Sequence, residues 1–295
     1  MRMNNTCDCS HTINVHFTKA CPHNCDYCVD KLSVDKSSIT PNVDKMFDTV
    51  KDIINTSSFG TYEDVLIVGG EPLVFINDLL TFVKRIKDET DLRVYVTTSL
   101  PEETVYHLNL LGELLDTVDG LNVSIQHPNP VLALFMLGTK PRFEESGPLY
   151  RQKIIQYLMK HPEKKKVRIN LNVMKPLLSN KKSIDEALEE IDTWGFGSIK
   201  LSELQRCENS YVSIEEMYDI KLKSPYSYGC NIKAPDEIQD GIKTPIYLKR
   251  SCFMVENSLK ASLKDGIKAI HKKFHKTDNH FVVIYEDGHI ERRWK

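Results

Sequence analysis

Cys21-Pro-His-Asn-Cys25-Asp-Tyr-Cys28 sets three cysteines at C-x3-C-x2-C spacing, directly behind an apolar run, Ile13-Asn-Val-His-Phe-Thr18. About forty residues later, Val65-Leu-Ile-Val-Gly-Gly-Glu-Pro72 reads as a buried strand ending in a Gly-Gly-Glu-Pro turn. Three thiolates on a loop leaving a strand can hold three corners of an iron–sulfur cube and leave the fourth iron open. A zinc site normally takes four protein ligands, drawn from pairs such as C-x2-C or H-x3-H. The bland alternative is three inert buried cysteines, but Pro22 and Asn24 are poor core neighbours. Gly69 and Gly70 would end any strand in a tight turn. Glu71 is less easily explained that way, because it puts a carboxylate where an α/β sheet opens its ligand crevice.

In this order and at this distance, the two segments resemble the radical S-adenosylmethionine (SAM) superfamily, over residues 12–205. The resemblance implies a catalytic 4Fe–4S cluster on Cys21, Cys25 and Cys28, and a SAM amino group received by Gly69, Gly70, Glu71 and Pro72. Within that turn the Glu71 carboxylate would accept from the ammonium, a charge-assisted bond. Tyr27 matches the aromatic that lies beside adenine in the family. His23 as a fourth ligand would close the cluster and leave no iron for SAM, so it is set aside. The implied reaction begins with one electron from the cluster, supplied by an external donor such as flavodoxin or ferredoxin. Methionine leaves, and a 5′-deoxyadenosyl radical takes hydrogen from a substrate carbon. The cofactors carry that step; the protein orients the partners and excludes water.

The chain has 295 residues, 41% of them hydrophobic, enough for one large α/β domain with a small appendage. No 18-residue apolar run predicts a membrane span, and residues 1–7 lack the apolar segment of a secretory signal. The 8 cysteines are therefore expected in a reducing, cytoplasmic setting as ligands or free thiols. Continuous apolar runs at 13–18, 65–68, 92–98, 121–126, 167–174 and 198–204 alternate with helical patterns at 43–54, 77–87, 102–115, 151–160 and 184–194. Such alternation predicts a parallel sheet with right-handed crossovers. Six units match the partial (β/α)6, TIM-like barrel that the resemblance implies. The expected organisation is a tail over 1–11, the barrel over 12–205, and an α+β extension over 206–295. Residues 128–148 carry four prolines and no clear period, which reads as a loop over the barrel mouth.

Ligands of parallel α/β folds bind at the carboxyl ends of the strands. That rule gathers the two motifs with Thr98, Ser124, Gln126, Asn170, Asn172, Ser202, Glu203 and Gln205. Polar side chains in otherwise buried strands need partners inside the barrel, or else bond neighbouring backbone. By resemblance, Ser124 faces the SAM carboxylate or ribose, and Asn170 or Asn172 the ribose; Thr98 and Ser202 join the cofactor site. Gln126, Glu203 and Gln205 are left for the substrate.

Cys207, Cys230 and Cys252 stand 22 and 21 residues apart, either as ligands of a second iron–sulfur cluster or as unpaired thiols. Residues 259–274 read as a helix. Runs at 281–285 and 289–294 flank Asp287-Gly288, a hairpin signal. His271 and His275 lie one helical turn apart, and without a third ligand they read as surface residues. Residues 243–295 hold 12 Lys and Arg against 6 Asp and Glu, although the whole chain carries −2. This surplus is either a solvated face or a contact for a phosphate-bearing substrate. Arg292, Arg293 and Trp294 combine guanidinium with an aromatic face, which favours a nucleotide, nucleoside or nucleic-acid base. A peptide-modifying enzyme or glycyl-radical activase is the first rival. A non-catalytic cluster- and SAM-binding carrier or sensor is the second, and SAM cleavage separates it from both enzymes. The sequence assigns no oligomeric state.

Overall fold

The computed structural model describes residues 12–28, 40–56, 62–138, 149–204, 207–221, 232–251 and 282–291. Six strands form its centre in chain order: β1 (Thr12–His16), β2 (Asp64–Val68), β3 (Arg93–Thr98), β4 (Gly120–Ile125), β5 (Val167–Val173) and β6 (Ser198–Glu203). Each pairs in parallel with the next. Between them run α1 (Val43–Thr56), α2 (Ile76–Glu89), α3 (Leu108–Thr117), α4 (Pro130–Leu137), α5 (Leu149–Lys160) and α6 (Lys181–Asp192). After them come α7 (Ile214–Tyr218), β7 (Ile232–Lys233), α8 (Asp236–Gln239), β8 (Ile246–Lys249), β9 (Val282–Ile284) and β10 (Ile290–Glu291).

The C-terminal strands extend this sheet at both edges. β8 pairs in parallel with β6, and β9 in parallel with β1. β7 and β10 close the ends antiparallel, and the ten-stranded sheet runs β10-β9-β1-β2-β3-β4-β5-β6-β8-β7 without closing on itself. The Asp287-Gly288 turn joins β9 to β10 as the sequence predicts.

Period-two alternation divides the sheet's two faces. Ile13 and Val15, Val65 and Ile67, Val94 and Val96, Leu121 and Val123, Ile169 and Leu171, Ile199 and Leu201 join one core with the helices. α2 gives that core Leu79, Leu80, Phe82, Val83 and Ile86 on one helical face, each worth about 1.5–3 kcal/mol when fully buried. The opposite face carries Asn122, Ser124, Arg168, Asn170, Asn172, Lys200 and Ser202, and it lines the inside of the partial barrel.

Two local expectations change. The stretch read as a loop over 128–148 contains α4. The Asn129 side chain accepts from Val131 N (2.9 Å) and Leu132 N (3.3 Å), Pro130 occupies the first turn, and Gly138 ends the helix in the left-handed region. Its apolar residues surround the helix, so no amphipathic period marked it. The pattern over 102–115 divides into a 3-10 turn, Glu102–His107, and α3. Residues 1–11 and 259–274, with His271 and His275, lie outside the described residues.

Candidate functional site

The two motifs form one bonded unit at the carboxyl ends of β1 and β2. Glu71 N donates to the Ala20 carbonyl at 2.7 Å. Gly70 has φ +46, and a Cβ there would sit 2.4 Å from Ala20 O and 2.5 Å from Thr18 O, so only glycine permits the approach. At Gly69 (φ +89) a Cβ would strike the His16 ring at 2.5 Å. The far side of the cysteine loop rests on the end of α4, where Asn24 N donates to Leu137 O at 2.9 Å and Cys25 Sγ lies 3.7 Å from the same oxygen.

Cys21 is exposed, while Cys25 and Cys28 are partly covered. Although the residue as a whole is exposed, protein packed on the thiol side partly desolvates the Cys21 sulfur and pushes it up to about 12, with Glu71, Cys25 and Cys28 adding negative potential. A bound cation reverses that balance, because a coordinating thiol is deprotonated outright. Among the described residues, no three Cys, His, Asp or Glu side chains converge as ligands of a single metal ion. Burial lowers His23 to about 4 and pushes the Tyr27 phenol up.

Glu71 is 1% exposed and heavily engaged. Its Oε1 accepts from Leu73 N (3.1 Å) and Thr98 Oγ1 (2.7 Å); its Oε2 accepts from Ser99 N (2.7 Å) and the Ser99 hydroxyl. Burial raises its carboxyl, and these four donors oppose the rise. A carboxylate offers about four lone-pair sites, so protein donors fill it, and Thr98 is spent on Glu71. Glu71→Gln sets an amide NH2 against those donors. It should destabilise the apo protein by about 1.5–3 kcal/mol per bond lost in chemical denaturation. Wild-type stability with failed SAM binding would instead mean that the carboxylate serves the ligand.

Other expected residues separate by face. Ser124 pairs with Asn170, and Asn172 with Ser202, all on the inner face. Gln126 is 2% exposed, and its Oε1 has no hydrogen-bond partner among the described residues. Glu203 alternates with Ser202 and faces the helix layer. There it accepts from Ile214 N (2.9 Å), Ser251 N (2.7 Å) and Tyr211 Oη (3.2 Å), so protein donors engage its carboxylate. The Cys207 thiol donates to the Tyr27 carbonyl at 3.2 Å, so it stands against the first cysteine loop. Cys230, Cys252, Gln205, Arg292, Arg293 and Trp294 lie outside the described residues.

Two groups escape sequence reasoning. Arg151, on α5, is 1% exposed; its Nη2 lies 3.4 Å from Ser124 O, and its Nη1 has no hydrogen-bond partner among the described residues. Burial pulls this guanidinium down, while Tyr150, Tyr27, Glu71 and Cys25 pull it back up, which puts it within electrostatic reach of both motifs. A charge at 151 on the apolar stripe of Ile154, Ile155 and Leu158 was its one sequence signal. The second is Glu286, 1% exposed in the β9–β10 turn. It accepts from Lys19 Nζ at 2.9 Å and approaches His16 at 3.8 Å, tying the last hairpin to the cysteine loop.

Residues 10–127 match the family model of the 4Fe-4S single cluster domain. The cysteine loop and the Gly-Gly-Glu-Pro turn both lie within those matched residues. The match covers less than half of the chain. Its fold is similar to a solved structure of native anSMEcpe with bound AdoMet, at 16% identity and TM-score 0.43, covering 74% of this chain and 57% of that one. It is also similar to TYW1 with a lysine-pyruvate adduct bound, at 15% identity and TM-score 0.40, covering 62% of each chain. A third similarity is to HemN, the coproporphyrinogen III oxidase of Escherichia coli, at 13% identity and TM-score 0.40, covering 64% of this chain and 43% of that one. The chain thus spans less than two thirds of each of these proteins. Among curated protein sequences, none matches it. Among the described residues, no helix is long and apolar enough to cross a membrane.

Proposed function

We propose that the chain is a radical SAM enzyme that cleaves SAM reductively and removes a hydrogen atom from a substrate held inside the partial barrel. The observation that carries this reading is the junction of the two motifs, where Glu71 N bonds the Ala20 carbonyl at 2.7 Å and Gly70 lies against Thr18 and Ala20. That contact sets the ligand cysteines and the turn in one fixed relation, as a cluster and a molecule bound across both would need.

Cys21, Cys25 and Cys28 would hold the cluster. Bound there, it supplies the electron that breaks a sulfur–carbon bond of SAM and releases a hydrogen-abstracting radical. This chain's own residues bind and orient. Glu71 stiffens the turn and the end of β3, which leaves the backbone carbonyls of Gly69 and Gly70 to receive the SAM ammonium. Arg151, within electrostatic reach of Cys25 and Glu71 and bonded to Ser124, offers the SAM carboxylate its Nη1, which has no hydrogen-bond partner among the described residues. Tyr27 and Gln126 border the adenine side, and Asn170 or Asn172 the ribose. The basic surplus of residues 243–295 supports a phosphate-bearing substrate such as a nucleotide.

Anaerobic reconstitution with iron and sulfide, followed by reduction in the presence of SAM, tests the reading. Methionine and 5′-deoxyadenosine should form only with the cluster present and reduced. SAM bound but never cleaved would leave a carrier or sensor instead.

A further inference from the structure

The β9–β10 hairpin reaches both motifs with two consecutive residues. β9 pairs with β1 so that Ile284 stands beside Val15, which brings the next residues, Tyr285 and His16, together at the carboxyl ends of the two strands. Their rings stack, with centroids 5.3 Å apart and planes 28° apart. His16 is buried, and a Cβ at Gly69 would strike its ring at 2.5 Å, so the ring is packed against the Gly-Gly-Glu-Pro turn. Tyr285 in turn carries His289, with centroids 4.6 Å apart and planes 5° apart. Three rings thus run outward from the turn.

Glu286, next in sequence, holds the other motif. Its carboxylate accepts from Lys19 Nζ at 2.9 Å and lies 3.8 Å from His16 Nδ1. Lys19 stands between Thr18 and Ala20, whose carbonyls lie against Gly70, and two residues before Cys21. The hairpin is anchored on the other side by α1 and the residue before it. Asn42 N donates to Glu286 O at 2.7 Å, and Thr49 Oγ1 donates to Gly288 O at 2.8 Å. A Cβ at Gly288 (φ +87) would sit 2.9 Å from Lys45 Cβ, so the turn lies directly on the helix.

Stability alone explains this corner poorly. Glu286 is 1% exposed, and the desolvation of a buried ion pair can exceed the attraction it gains. Apolar side chains would hold a hairpin to a sheet edge at no such cost. An ion pair and a ring stack add direction, since each has a restricted geometry, and here each ends on a different motif.

We infer that Tyr285 and Glu286 are positioning residues: the hairpin fixes the cysteine loop through Lys19 and the Gly-Gly-Glu-Pro turn through His16, and so sets the cluster and SAM in register. This deepens the radical SAM reading and rests on it for what the two motifs hold. The hairpin lies outside residues 10–127, so neither residue belongs to the part the cluster-domain model matches.

Hydrogen exchange of the full-length apo chain reads the first consequence. Phe17 N and Glu71 N bond Val68 O at 2.9 Å and Ala20 O at 2.7 Å. In Tyr285→Leu and in Glu286→Gln both amides should exchange about two- to tenfold faster than in wild type, the scale of one lost aromatic pair. The amides of Val123 and Leu171, in β4 and β5, should keep wild-type protection. Calorimetry of the reconstituted protein reads the second: SAM should bind both variants about two- to tenfold more weakly. Tyr285→Phe keeps the ring and should restore both readouts. Trp194→Leu is the control for lost aromatic packing, because Trp194 meets Phe196 edge-on at 6.0 Å away from both motifs; it should leave both readouts unchanged. Wild-type exchange at Phe17 and Glu71, wild-type SAM affinity in the two variants, an equal effect of Trp194→Leu, or a Tyr285→Phe protein as impaired as Tyr285→Leu overturns the inference. Where a variant takes up no cluster, the exchange of its apo chain decides. The radical reading fails separately, on absent SAM cleavage by the wild-type protein.

Discussion

Replacing any one of Cys21, Cys25 and Cys28 by Ala should abolish the 4Fe–4S signal of the reconstituted protein and, with it, all reductive cleavage of SAM. Cys207→Ser should keep both. The argument is coordination. Each thiolate would hold one iron, and the loop between Cys25 and Cys28 is tied by Cys28 N donating to Cys25 O at 3.3 Å. Cys207 is the one other described cysteine, and its thiol is engaged by the Tyr27 carbonyl at 3.2 Å. Electron paramagnetic resonance of the reduced protein, with iron and sulfide counted, measures the outcome. A full cluster in the Cys25 variant, or its loss in the Cys207 variant, would reassign the ligands. The expected loss in the three single variants is total, because a missing corner removes the cofactor and not one bond.

Much of this site was legible from residue order, for a physical reason. In a parallel sheet every strand delivers its last residues to one rim, so locating strands also locates the site. The motif spacing survives folding because Gly70 allows backbone contact that any side chain would prevent. Boundaries shifted where capping decided them. α6 starts at Lys181 and not 184, since Asn180 and Ser183 form a reciprocal cap. Facing was harder to read than existence. Ser202 and Glu203 are neighbours in sequence, yet period two sends them to opposite sides of the sheet, one to the cavity and one to a knot of backbone donors. The protein donors on the Glu71 carboxylate could not be foreseen. Thr98 and Ser99, which occupy it, come from the next strand, and no spacing rule joins them to residue 71. Glu286 lies 270 residues from His16, with only the pairing of β9 to β1 to bring them together.

Arg151→Met should leave the cluster intact, leave the apo protein as stable as wild type or more so, and weaken SAM binding by about ten- to a hundredfold. The two halves of this expectation pull apart the roles a buried arginine can have. A guanidinium taken out of water costs several kcal/mol unless it is well paired. Here the partners are one carbonyl, Ser124 O at 3.4 Å, and the neighbouring Tyr150 phenol, with no hydrogen-bond partner for Nη1 among the described residues. Met fills similar volume beside Ile154, Ile155 and Leu158 without that cost, so the empty protein gains by the exchange. The SAM-bound protein loses a charge-assisted hydrogen bond worth about 1.5–3 kcal/mol, and the bond lost is the one to the carboxylate. Arg151→Lys separates charge from shape. A lysine keeps the cation but not the fork, so binding should recover only in part. Denaturant melts of the apo protein and equilibrium SAM titrations of the reconstituted protein read the two halves independently. An apo protein that collapses while residual SAM affinity stays at the wild-type value would make Arg151 a structural residue beneath the site, and the carboxylate would need another partner.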